Sequence, residues 1–114
     1  MSKLDEKVGK YIDAVKDTCG LEPDVDLLRK ITAACGPVIY QRDAETVASS
    51  DPDEMDRVKK NFLMKKLGLS ESDKLDEGIE AAIETYGRSE RTKYRAVFYY
   101  LLTKHFGKDA VYGS

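Results

Sequence analysis

The chain has 114 residues, of which 41% are hydrophobic and 35% charged: enough apolar side chains for one self-supporting core, and more charge than a membrane protein carries. Lys and Arg number 19 against 21 Asp and Glu, so the formal charge of −2 supplies no global field to steer the molecule toward nucleic acid or anionic lipid. The first ten residues alternate charge with isolated hydrophobes, unlike a secretory signal, and the apolar run from Ala96 to Leu102 is far short of the ~20 residues that span a bilayer. The expectation is a cytoplasmic protein with no membrane segment, folded as a single helical domain over residues 1–114.

In chain order, Leu4, Val8, Tyr11, Ile12, Val15 and Cys19 recur at intervals of three and four, which predicts a helix over 3–19 with Ser2 as its start signal and Gly20 as its stop. A second helix runs from Val25 to Cys35, capped by Asp24, with Leu27, Leu28, Ile31, Ala34 and Cys35 on one side and Gly36-Pro37 closing it. Residues 37–51 lack clean periodicity, yet Val38, Ile39, Tyr40 and Val47 are apolar enough to predict short, partly buried turns instead of a free linker. Asp51-Pro52-Asp53-Glu54 is the strongest local signal: a capping carboxylate, proline at the first helical position, then two acids where the helix dipole favours negative charge. The third helix carries Met55, Val58, Phe62, Leu63 and Leu67 and stops at Gly68. Ser70 is expected to cap a fourth helix, with Leu75, Ile79, Ala82, Ile83 and Tyr86 on its core face and Gly87 at its end. A fifth starts near Ser89 or Glu90, aligns Tyr94, Val97, Phe98, Leu101, Leu102, His105 and Phe106, and ends at Gly107. With no sustained period-two alternation, the fold class is all-α: a compact single-domain bundle or array of about five helices.

Cys19 and Cys35 each precede a glycine at opposite ends of an antiparallel hairpin, which puts them roughly 15 Å or more apart. That exceeds disulfide reach and predicts two free, mostly buried thiols. No close ligand pair accompanies them, so neither a zinc site with His105 nor any other metal or cofactor is expected.

Charge is segregated by segment. Residues 57–69 hold Arg57, Lys59, Lys60, Lys65 and Lys66 with no acid, residues 70–87 are strongly acidic, and residues 88–108 are basic again. Solvated faces with pairing between helices account for this pattern, each exposed pair contributing little. The functional alternative is a nucleic-acid surface on the basic helices 57–69 and 88–108, around Lys59, Lys60, Arg91 and Arg95. His105, the sole histidine, falls on the apolar stripe, where packing is the default role and catalysis would require partners that spacing does not place. The stretch Tyr40 to Thr46 is the densest set of varied polar groups outside the helices, so Tyr40, Arg42 and Asp43, with His105, are candidates for holding a small polar ligand. Met64, Tyr99 and Tyr100 lie beyond the core stripes of their helices and are candidates for protein contact.

Two stretches carry a family likeness: Arg42 to Pro52 leading into Arg57 to Gly68, and Tyr94 to Leu102 followed by Phe106-Gly107-Lys108. They resemble the small bacterial proteins grouped as domain of unknown function 2853, over nearly the whole chain. The resemblance implies a bacterial, cytoplasmic, stand-alone helical protein and assigns no catalytic or binding residue. The leading expectation is therefore a non-enzymatic protein-interaction module, self-association included, with nucleic-acid binding and small polar-ligand binding near Tyr40–Asp43 as alternatives.

Overall fold

The computed structural model describes residues 3–70 and 74–112, and over these the chain is all-α with no named strand. Helix α1 (Lys3–Asp13) runs without a break into a π turn at Ala14–Thr18. Helix α2 (Val25–Cys35) passes directly into a 3-10 turn, Gly36–Tyr40. Helix α3 (Pro52–Arg57) widens into a π segment, Val58–Lys66. Helices α4 (Leu75–Tyr86) and α5 (Arg95–Phe106) follow, and a last 3-10 turn spans Asp109–Tyr112. Among the described residues no helix is long and apolar enough to cross a membrane.

The caps read from the sequence form as expected at two starts: Asp24 accepts from the backbone N–H of Leu27 at 3.2 Å, and Asp51 from that of Asp53 at 3.0 Å. The two π segments end alike. Gly20 (φ +70°) and Gly68 (φ +73°) turn the chain through the left-handed region, and the next N–H folds back onto the helix, Leu21 to Val15 O and Leu69 to Leu63 O, each at 3.0 Å. Ser2, the expected start signal of α1, lies outside the described residues. Helix α4 is not capped by Ser70; it begins at Leu75, flanked by Lys74 in a left-handed conformation.

The core gathers Tyr11 from α1, Val15 from the π turn that follows it, Leu27, Leu28 and Ile31 from α2, Val58, Phe62 and Leu63 from the Val58–Lys66 π segment, Ile79 and Ile83 from α4, and most of α5. Ala34 is exposed, whereas Thr32 is buried, its hydroxyl donating to Leu28 O at 2.7 Å. That back-bond satisfies the hydroxyl and lets a polar residue occupy a core position.

Two expectations about α5 are corrected. It starts at Arg95, not near Ser89 or Glu90, because the preceding segment pairs with the 44–47 loop: Val47 N–H donates to Lys93 O at 2.8 Å and Arg95 N–H to Glu45 O at 2.7 Å, around one antiparallel bridge between Thr46 and Tyr94. Strand-like pairing holds Tyr94 extended and delays the helix. Tyr100 is not a surface residue; it is 2% exposed, and its hydroxyl accepts from the Asp24 N–H at 2.8 Å. Residues 96–98 and 100–103 are all buried, the pattern of a helix enclosed on nearly every side, and the stripe gives out before His105, which is exposed. Gly78 on α4 admits Phe106 so closely that a Cβ there would lie 2.2 Å from the ring, so α4 and α5 meet backbone against side chain at that point.

Tyr100→Ala is expected to lose about 3–5 kcal/mol of stability, as for other large buried side chains. Tyr100→Phe, which keeps the ring and loses only the acceptor for Asp24, should lose about 1 kcal/mol. Urea denaturation of the two variants separates packing from capping.

Candidate functional site

Residues 44–47 are the irregular segment on which the site is built. Glu45 is buried although nothing in its local sequence marks it. Its Oε2 accepts from Lys7 Nζ at 2.9 Å, Lys10 Nζ at 3.2 Å and the Tyr11 hydroxyl at 2.7 Å, three donors presented by one face of α1. Burial alone would raise the Glu45 carboxyl; the hydrogen bonds from Lys7, Tyr11 and Lys10 outweigh it and hold the pKa below the ordinary value. The Tyr11 phenol is driven upward by burial and by the carboxylate beside it. Lys10 lies 4.5 Å from the Tyr94 ring centre, so the cluster also touches the extended lead-in to α5.

Arg95, the first residue of α5, grips the same segment from the other side. Nε donates to Ala44 O at 2.7 Å, Nη2 to Glu54 Oε1 at 2.8 Å with a longer contact to Thr46 O at 3.4 Å, and Nη1 to the Tyr99 hydroxyl at 3.1 Å. Nη1 bears two protons and has this one acceptor among the described residues. Tyr99, one helical turn on, stacks against Phe62 of the π segment with ring centres 3.9 Å apart and planes 11° from parallel.

In front of Arg95 opens a cavity of about 370 Å³. Ile31, Ala34 and Cys35 from α2, Val38 from the 3-10 turn, Ala44, Phe62 and Tyr99 make walls that are mostly apolar, while Asn61, Lys66, Arg95 and Tyr112 bring polar atoms to it. The volume lies within the ~300–1,000 Å³ range of small-molecule sites. Lys66 Nζ sits 5.1 Å from the Tyr112 ring centre, at the side where the last 3-10 turn closes the cavity. Burial pushes the Cys35 thiol up to about 11 against a lowering influence from Arg95, and it raises the Tyr112 phenol as well. These groups are neutral at pH 7, so the cavity's formal charge comes from its two cations.

The sequence-level candidates scatter. Tyr40 is 48% exposed, Arg42 and Asp43 are exposed too, and none of the three lines this cavity. His105 is not beside them: it stands edge-on to Phe106 at 4.9 Å and faces a separate hollow with Leu21, Thr85 and Lys104. Met64 is partly buried against the core. Lys59 pairs with Asp76 at 3.5 Å and Lys60 with Asp56 at 3.1 Å, while Arg91 is exposed on a loop, since α5 begins after it. Arg88, on the same loop, is held by Glu80 and Glu84, each at 2.6 Å. Among the described residues no cluster of His, Cys, Asp and Glu is placed to hold a metal.

The family model described as Protein of unknown function (DUF2853) matches residues 10–110. The chain belongs to this family. Comparison with curated proteins finds no match. The DUF2853 match takes in Glu45, Arg95 and every cavity-lining residue except Tyr112. Sequence reasoning missed Glu45, Phe62 as a cavity wall, Lys66 and Tyr112. The one available signal was the surplus of apolar residues, Val38, Ile39 and Val47, in a segment without helical period, which marks a loop packed inward.

With its folded pKa below the ordinary 4.5, Glu45 contributes stability that is complete above 4.5 and is lost as pH falls through the lower folded value. Glu45→Gln keeps the shape and an acceptor for Tyr11, so it should cost about 1–2 kcal/mol at pH 7. The gap to the parent should close as the parent's carboxylate protonates. Urea midpoints measured at neutral and acid pH check this, and a gap that persists unchanged below pH ~3 would remove the ionised Glu45 cluster from the account.

Proposed function

We propose that this protein is a small-molecule-binding module whose site is the cavity between α2, the π segment and α5, in a cytoplasmic setting. The observation that carries the reading is the cavity itself: apolar walls with a partly buried guanidinium, already fixed in position by Ala44 O, Glu54 and Tyr99, at its inner side. A polar group held by several bonds orients a ligand without being ordered by it, which lowers the entropic cost of binding. The cytoplasmic setting is supported by the two free thiols, Cys19 and Cys35, both raised to about 11 by burial.

The reading keeps the ligand-binding alternative and moves it from the exposed loop at Tyr40–Asp43 to the cavity that Val38 and Ala44, on either side of that loop, help to line. It takes precedence over protein contact through Met64, Tyr99 and Tyr100, because Tyr100 is in the core and Tyr99 is engaged by Phe62 and Arg95. It also takes precedence over nucleic-acid binding, because Lys59, Lys60 and Arg95 already face Asp76, Asp56 and Glu54.

Screening the full chain by NMR against small amphipathic molecules, neutral, anionic and cationic, should give hits that shift the amides of Phe62 and Tyr99. The same hits should slow alkylation of Cys35 by iodoacetamide while leaving Cys19, which does not line the cavity, unaffected. Ala34→Trp, at an exposed lining position, should abolish both effects with the fold intact by circular dichroism. Hits that perturb other surfaces, or a screen without hits, would overturn the reading.

A further inference from the structure

The charges around the cavity narrow what it takes. No Asp or Glu is among its lining residues, whereas Arg95 and Lys66 both are. Arg95 pairs with Glu54 at 2.8 Å, a carboxylate outside the lining set that the solvent-exposed Arg57 also approaches at 3.2 Å. Lys66 has no carboxylate within ion-pair distance among the described residues, and its ammonium rests near the Tyr112 ring instead. Among the described residues Lys66 is therefore the lining cation with no carboxylate partner, and the lining adds the second Arg95 Nη1 proton, which has no acceptor among these residues, and the Asn61 amide. Ile31, Val38 and Phe62 meanwhile offer an apolar wall that a purely polar anion would leave uncovered.

Taking the cavity as the binding site proposed above, we propose that its ligand is a small monocarboxylic acid, with the carboxylate held by Lys66 and Arg95 and a hydrocarbon body lying against Ile31, Val38 and Phe62. The one lining cation without a carboxylate partner, Lys66, matches one negative charge. A dianion such as a phosphate monoester would bring a second charge for which the lining offers only Arg95, already paired with Glu54, and desolvating it would oppose binding. The volume of about 370 Å³ is at the small end for ligand sites and suits a single short hydrocarbon chain.

The test titrates the full chain with octanoate, octanol and octylamine, three probes that share a hydrocarbon body and differ in head-group charge, and follows the Phe62 and Tyr99 amides. Octanoate should bind about tenfold or more tightly than octanol, as a charge-assisted hydrogen bond predicts, and octylamine should bind most weakly. Because Arg95 supports the fold, the informative variant is Lys66→Gln at an exposed position. It should bring octanoate down toward octanol while leaving octanol unchanged, and Lys66→Arg should retain the preference. Equal affinity for octanoate and octanol, or insensitivity of octanoate to Lys66→Gln, overturns the carboxylate assignment and leaves the cavity standing. Failure of all three probes to shift the cavity amides, or shifts confined elsewhere, overturns the carboxylate assignment, and if the amphipathic screen is also blank, the cavity reading falls with it.

Discussion

Everything that positions the cavity depends on how Glu45 and Arg95 hold one another's segments. Glu45 sends its side chain to α1 and its carbonyl to the Arg95 N–H, while the Arg95 side chain returns to the carbonyls on either side, Ala44 and Thr46. An irregular stretch buried in this way exposes backbone polar groups to a medium without water, and each must find a partner. Here the partners are the start of a helix and a guanidinium. The result is a loop with the placement precision of a regular element, and Ala44 can therefore serve as a cavity wall.

The charges of Glu45 and Arg95, one on each side of the loop, are kept for different reasons. Glu45 is compensated by lysines whose hydrocarbon stems cover the core edge while their ammonium groups reach its carboxylate; Lys7 and Lys10 remain 24% and 42% exposed. Their hydrogen bonds outweigh the cost of its burial, and the effect is to fasten α1 to the loop. Arg95 is more deeply engaged and divides its donors among three elements, which orders α3, the loop and α5 about one side chain. Replacing such a residue removes a junction as well as a charge, because several acceptors lose their donor together.

Helix caps were legible in the sequence because they depend on neighbours a few residues away: Asp24 and Asp51 bond within their own first turns, and Gly20, Gly36, Gly68, Gly87 and Gly107 all take positive φ. The core faces of α1, α2 and α4 were legible for a similar reason, since period alone selects Val8, Leu28 and Ile79. What period cannot reveal is a helix wrapped on all sides, so Tyr100 was read as surplus and His105 as core. The start of α5 escaped because tertiary pairing with residues 45–47 overrides local preference. The cavity escaped entirely. Its walls come from residues 31–112, and Glu45, which steadies it, carries no local mark of burial.

That spread in chain position bears on the order of assembly. Helices form locally and fast, but a contact such as Arg95 to Ala44, 51 positions apart, waits on closure of the intervening chain. The cavity has no partial version: with α2 and the π segment docked but α5 absent, Phe62 has no Tyr99 to stack on and the inner wall is missing. Occupancy of the site is thus coupled to the whole folded state and not to any one half. A molecule that fills it draws its affinity from the completed chain and, by mass action, returns that free energy as resistance of every helix to unfolding.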